Sequence, residues 1–321
     1  MQKSTRFSSV LAMLGPLLPV MTAEYRQASL YSKFLIRMHR FNYLWIDVLA
    51  ILFVLQVGVS KPAFYVFLVN WFLTLIGIHL IYHRYFAHHS FETSRIFQFI
   101  LGCIGAMGCQ SGPIWWASLH RSHHRHSDQA GDPHSPVLNS FQYSHMGWLL
   151  NTQALRIDFN NVKDLSRFPE LQLLEMHQFI PPIINLIIIL WVAKSMGSAL
   201  PTYINLEEQV LVWGFFMAIF ASRQCTFAIN SIGHRFGTRD HATQDNSRNN
   251  FILALFTIGS GWHNNHHAFP RSARHGFLWW QVDVAFYLLR FLERVGLVWN
   301  LHPAPNTSAK KLFWADGIEM E

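Results

Sequence analysis

Three short stretches hold eight histidines at close spacing. HRYFAH (83–88) carries His83 and His88, HRSHH (120–124) carries His120, His123 and His124, and HNNHH (263–267) carries His263, His266 and His267. A ninth, His234, closes NSIGH (230–234), with Asn230 one helical turn earlier. On a helix, residues i, i+3 and i+4 share a face, so each H-x2-H-H can aim three imidazoles at one place. His83 and His88 stand five apart, about 140° around an α-helix, which predicts separate metals or a bracketed helix end. Nine imidazoles exceed what one ion takes and suit two. Ligand type alone leaves zinc, copper, iron and nickel open. The Glu-x-x-His pairs of carboxylate-rich di-iron bundles are missing, as is the H-E-x-x-H of zinc proteases.

The elements that carry these boxes are apolar. Among 321 residues, 51% are hydrophobic and only 13% charged, about half the charge of an ordinary soluble chain. Four stretches read as membrane spans, near 44–60, 63–83, 179–195 and 207–228. They pair as two hairpins, broken by SKP at 60–62 and by a polar loop at 194–207. Box one follows the second span and NSIGH follows the fourth, so both helices would bring ligands out at one membrane face. The far side then holds only Lys61 and Lys194 of 25 basic residues, which predicts that the boxes and both termini are cytoplasmic. The net charge of +7 is read as facing lipid headgroups rather than nucleic acid.

A fifth apolar stretch, 96–116, cannot cross, because boxes one and two would then face opposite compartments. The same holds for 251–262 and for 277–299, an amphipathic, Trp-rich segment expected at the interface. Residues 1–40 imitate a signal peptide but lack a cleavage site, and they are expected to lie on the membrane. Residues 300–321 read as a polar tail. The three cysteines sit in apolar surroundings without a CxxC and are expected to be small buried hydrophobes.

HRYFAH, HRSHH, NSIGH and HNNHH together, with GDPHSP (131–136) and SHMGWLL (144–150), resemble the membrane fatty acyl desaturases of the stearoyl-CoA or Δ9 type. The resemblance covers about residues 40–300. It implies an all-α integral membrane protein, with four spans under a cytoplasmic cap (84–178 and 229–299) that holds two metals. The nine histidines would ligate two irons, with zinc an expected substitute in recombinant material, and Asn230 would hold a metal-bound water. The reaction implied is O2-dependent removal of two hydrogens from adjacent carbons, giving a cis double bond. A separate cytochrome b5 or ferredoxin-type carrier, with its reductase, would supply electrons. Gln110, Trp116 and Thr226 match the family's tunnel-kink positions. Trp71, three turns before His83, would stop the acyl chain.

One departure concerns the substrate. The acyl-CoA enzymes follow GWLL with two basic residues that contact the coenzyme, whereas this chain has NTQA at 151–154. The expected substrate is a saturated acyl chain carried on coenzyme A or on a lipid; Arg121, Arg125 and Arg156 could substitute for the basic pair, and without them a lipid-linked acyl chain becomes credible. A charged segment at 163–179 has no chemical role in this reading beyond shaping the cap. The competing enzyme is a histidine-box hydroxylase of an alkane, sterol or carotenoid. A membrane metal transporter or sensor would instead place ligands within the spans, where only His79 lies.

Overall fold

The computed structural model describes residues 42–43, 45–151 and 156–305. The expected interfacial segment at 1–40 and the tail beyond 305 lie outside the described residues. Among the described residues, three helices are long and apolar enough to cross a bilayer: α2 (Lys61–Ala87), α6 (Ile180–Ala199) and α7 (Leu206–Ser231). The first apolar stretch forms a shorter helix, α1 (Trp45–Val54). Ser60 caps α2 through Ala63 N, and Pro62 occupies its first turn, where the missing N–H costs nothing.

These helices are inside-out relative to soluble ones. Along α6 only Pro181, Asn185, Ile189 and Ala193 are buried, a stripe at every fourth residue. Ile183, Ile184, Ile187, Ile188 and Trp191 point outward, as suits a helix surrounded by lipid. α6 and α7 form a hairpin, and α7 packs along α2. There Asn70 Nδ2 donates to the carbonyl of Gly214 at 2.7 Å, inside a π-wound segment of α7 (Val212–Met217). Arg223 of α7 pins α1. It donates to Asp47 Oδ1 at 2.8 Å and to the carbonyls of Asn42 and Cys109, and it lies over the Tyr43 ring.

The fifth apolar stretch does not run through. α3 (Arg95–Ala106) ends in a turn with left-handed Cys109 and Ser111, and α4 (Pro113–His126) then starts in a new direction. Twelve residues reach about 18 Å, short of the ~30 Å hydrocarbon core. α3 buries Gln98, Leu101, Gly102 and Gly105 and turns Ile96, Phe99 and Ile100 outward. The same two-faced pattern recurs in α8 (Phe251–Phe256) and α10 (Val284–Arg294), which expose Phe251, Ile252, Leu255, Tyr287 and Phe291. None is long enough to cross.

The cap is closed by α5 (Pro169–Met176), by α9 (His263–Ala268) and by a two-stranded pair, β1 (Glu92–Thr93) with β2 (Val298–Trp299). The chain beyond β2 is not wholly a free tail. His302 N–H donates to Ser90 and the His302 carbonyl accepts from Ala273 N.

Candidate metal centre

The structure brings all nine box histidines to one place and sorts them into two groups. His83, His88, His120, His124 and His266 form one, and His123, His234, His263 and His267 the other; within each, the potential ligand atoms lie within 4.8 Å of one another. His134 with Asp132 and His123 forms a third, overlapping group.

Two sequence expectations need correction. His83 and His88 do bracket a helix end, with His88 the C-cap of α2, but they share a group instead of serving separate metals, because α2 is π-wound over Ile76–Ala87. The His88 N–H donates to the His83 carbonyl at 3.2 Å, so residues five apart return to one side of the helix. Nor does each H-x2-H-H serve a single place. In α4 the i, i+4 pair His120 and His124 joins the five-histidine group, while His123 turns to the other. In α9 the i, i+4 pair His263 and His267 joins the four-histidine group, while His266 crosses to the first. At 100° per residue, i and i+4 differ by only about 40°, whereas i+3 lies about 60° to the other side of i. Boxes two and three therefore each bridge both groups, whereas box one lies wholly in the five-histidine group.

The nitrogen contacts fit metal ligation better than hydrogen bonding. His266 Nε2 lies 2.9 Å from both His83 Nε2 and His124 Nε2. A neutral ring nitrogen carries one proton or one lone pair, so it cannot serve two such partners. His88 and His120 meet through Nε2 at 2.8 Å, and His234 and His263 at 3.0 Å. Metal–nitrogen bonds of 2.0–2.1 Å at right angles place neighbouring ligand nitrogens about 3 Å apart. Nine imidazoles of this spacing could hold two ions.

Among the described residues, carboxylates stand behind only one group. His123 Nδ1 faces Asp132 Oδ1 at 3.0 Å, His234 Nδ1 faces Asp128 Oδ2 at 2.9 Å, and His267 Nδ1 faces Asp245 Oδ2 at 2.5 Å. Burial pushes the Asp128 carboxyl up, but the His234 contact and the Ser135 and Asn246 hydrogen bonds outweigh it and leave the group at about 2. None of the three pairs with a lysine or arginine among the described residues. These aspartates were missed in the sequence, although SDQAGD (127–132), shortly after box two, holds Asp128 and Asp132. The rule that a ligating histidine donates its second nitrogen to a carboxylate was the available signal.

The asparagines of HNNHH fasten the box. Asn264 Oδ1 accepts from His241 N at 2.7 Å, and Asn265 Oδ1 accepts from Asn249 Nδ2 at 2.7 Å. Two further imidazoles went unread. His134 is buried, and burial first, then His123, lowers it to about 3. His275 is fully buried, 4.6 Å from His266 between ring centroids, with neither ring nitrogen partnered.

A small cavity of about 40 Å³ adjoins the five-histidine group, with Gln110, Trp116, His120, His134, Thr226 and Asn230 in its wall. Gln110 Nε2 donates to Thr226 Oγ1 at 3.1 Å, and the Trp116 ring stacks on His120 at 4.9 Å. Trp71 is not in that wall; it stacks on Phe67 and packs against Phe256. Arg121 is not available to a headgroup. It donates to Phe86, Ala87 and Asn161 carbonyls and to Asp164. Arg125 donates to Asn161 Oδ1, and Arg156 lies at the surface.

The 163–179 segment acquires a role. Asp164 fixes Arg121, and Glu175 Oε2 accepts from the N–H groups of Ile114 and Trp115 at 2.8 and 3.1 Å. A carboxylate from α5 thus caps the helix that carries box two. Gly112 makes room, since a Cβ there would collide with the Glu175 carboxylate.

The fatty acid desaturase family profile matches residues 60–303. A chloroplastic protein of Arabidopsis thaliana named "Probable lipid desaturase" is 38% identical, over 78% of this chain and 66% of its own length. An sn-1 stearoyl-lipid 9-desaturase of Anabaena variabilis is 36% identical, over 73% of this chain and 81% of its own. An acyl-CoA 5-desaturase of Anemone leveillei is 32% identical, over 76% and 73%. With the match spanning most of its length and every histidine box inside it, the chain belongs to the fatty acid desaturase family.

Proposed function

We propose that the chain is an O2-dependent di-iron desaturase that inserts a cis Δ9 double bond into saturated, lipid-linked acyl chains. The observation that carries this reading is the convergence of nine imidazoles into groups of five and four. Two irons held there would supply the oxidising power that no side chain has. The balance is one saturated chain, O2, two electrons and two protons giving one alkene and two waters. The electrons come from a cytochrome b5 or ferredoxin-type carrier and its reductase.

The chain's own residues bind, orient and shield. The imidazoles hold the ions, and Asn230, one turn before His234, orients a water at the open position. Trp116 walls the cavity against His120, the Gln110–Thr226 hydrogen bond shapes its bend, and Trp71 limits chain length. The whole stretch 44–60, of which α1 is only a part, would make the fourth span. The cap sits on the cytoplasmic face with Ile96, Phe99, Phe251 and Phe291 toward lipid, so an acyl chain enters from the bilayer surface.

A lipid-linked substrate is favoured by the NTQA sequence after GWLL and by the engagement of Arg121 with Asp164. The test is expression in a host lacking Δ9 desaturation, followed by mass spectrometry of fatty acids by lipid class. The expected product is a cis-Δ9 chain formed within intact lipids. Hydroxylated chains would replace this reading with a hydroxylase. Unsaturation formed first in acyl-CoA would overturn the lipid-linked part.

A further inference from the structure

We infer that the two metals are unequally held, and that Asp128, Asp132 and Asp245 are positioning residues that make the four-histidine group the tighter site. The inference rests on the two-metal reading above. Ligand count alone points the other way, since five imidazoles face four.

The second shell reverses that order. In the four-histidine group, His123, His234 and His267 each direct Nδ1 at a carboxylate at 2.5–3.0 Å. A carboxylate there accepts the Nδ1–H hydrogen bond, which fixes the tautomer that leaves the Nε2 lone pair free for the metal and raises its basicity. Only His263 lacks such a partner at Nδ1. In the five-histidine group, no imidazole pairs with a carboxylate among the described residues. His83 and His266 leave Nδ1 buried and without a hydrogen-bond partner among the described residues, so no acceptor there selects the tautomer.

The carboxylates are themselves held in place. Asp128 accepts from Ser135 Oγ and Asn246 N at 2.7 and 2.8 Å. Asp132 accepts from Asp128 N and His134 N at 2.8 and 3.1 Å. Asp245 accepts from Thr243 Oγ1 and Ser247 N at 2.8 and 3.0 Å. Their side chains are at most 10% exposed. Among the described residues these three buried carboxylates have no lysine or arginine partner, and all three gather behind one group.

The test uses the full-length protein purified in detergent and loaded with ferrous iron. Excess EDTA is added, and iron per chain is followed over time. Wild-type protein should lose one ion fast and one slowly. Asp128→Asn should speed the slow phase about 10–100-fold and leave the fast phase alone. Asp245→Asn, acting on His267 from a separate loop, should do the same and covers the case that the first variant misfolds. His88→Ala should remove the fast phase. Loss of both ions at one rate in the wild type overturns the inference while leaving the two-metal reading standing. So does a slow phase unmoved in folded aspartate variants. A protein that takes up only one ion defeats the two-metal reading itself.

Discussion

The Nε2 atoms of His83 and His266 lie 2.9 Å apart, although 183 residues separate them in the chain. Box one at the end of α2 and box three in α9 therefore meet at one point, which His124 of box two also reaches. Replacing His266 with alanine should remove at least one metal per chain and reduce desaturation to background. The amount of protein in the membrane should be unchanged, because α2, α6 and α7 do not depend on α9. Metal analysis beside an immunoblot of membranes checks this, and full metal content would remove His266 from the ligand set.

Asn230 lies in the wall of the cavity beside His120. Asn230→Ala should keep most of the metal and lower turnover per bound iron by about 10–100-fold, the usual effect of a lost outer-shell partner. Normal iron-normalised turnover would reduce Asn230 to a packing role.

Glu175 caps α4 from α5, and burial pushes its carboxyl from 4.5 up to about 7, against the pull of the Trp115 and Ile114 amides. The folded chain therefore keeps this proton to higher pH than the unfolded chain, which releases it near 4.5. Between those values the unfolded state binds fewer protons, so this group's contribution to stability falls as pH rises. Glu175→Gln should flatten that slope. Melting curves from pH 5 to 7 should show wild type losing stability relative to the variant as pH rises; parallel profiles would contradict the assignment.

Arg223 and Asp47 are buried and paired at 2.8 Å where α7 meets α1. Breaking a buried pair from one side costs about 3–5 kcal/mol. Asp47→Ala should accordingly lower Tm markedly in detergent, whereas the double variant Asp47→Leu/Arg223→Met should recover much of the loss. A neutral Asp47→Ala would show that Asn42 and the Cys109 carbonyl satisfy Arg223 alone.

What the sequence made legible was local. The apolar runs of α2, α6 and α7 stand out because lipid demands unbroken hydrophobicity. The boxes stand out because imidazoles are rarely so dense. The 100° helical step already separates His123 from His120 and His124; which group each joins was not legible, since it depends on where α9 meets α4. The shared side of His83 and His88 was hidden because spacing was read on an α-helix and α2 is π-wound there. Asp128, Asp132, Asp245 and Glu175 escaped because a lone carboxylate in a polar stretch looks like solvated surface. Arg121 looked free for a headgroup because its partner Asp164 lies 43 residues away.

The central claim is that nine imidazoles hold two ions that work together. The most direct measurement is metal per chain, by plasma mass spectrometry with amino-acid analysis, on purified protein that converts a saturated lipid to its alkene. The account predicts two irons per active chain, with activity lost in proportion as either is removed. Full activity with a single metal per chain would contradict it.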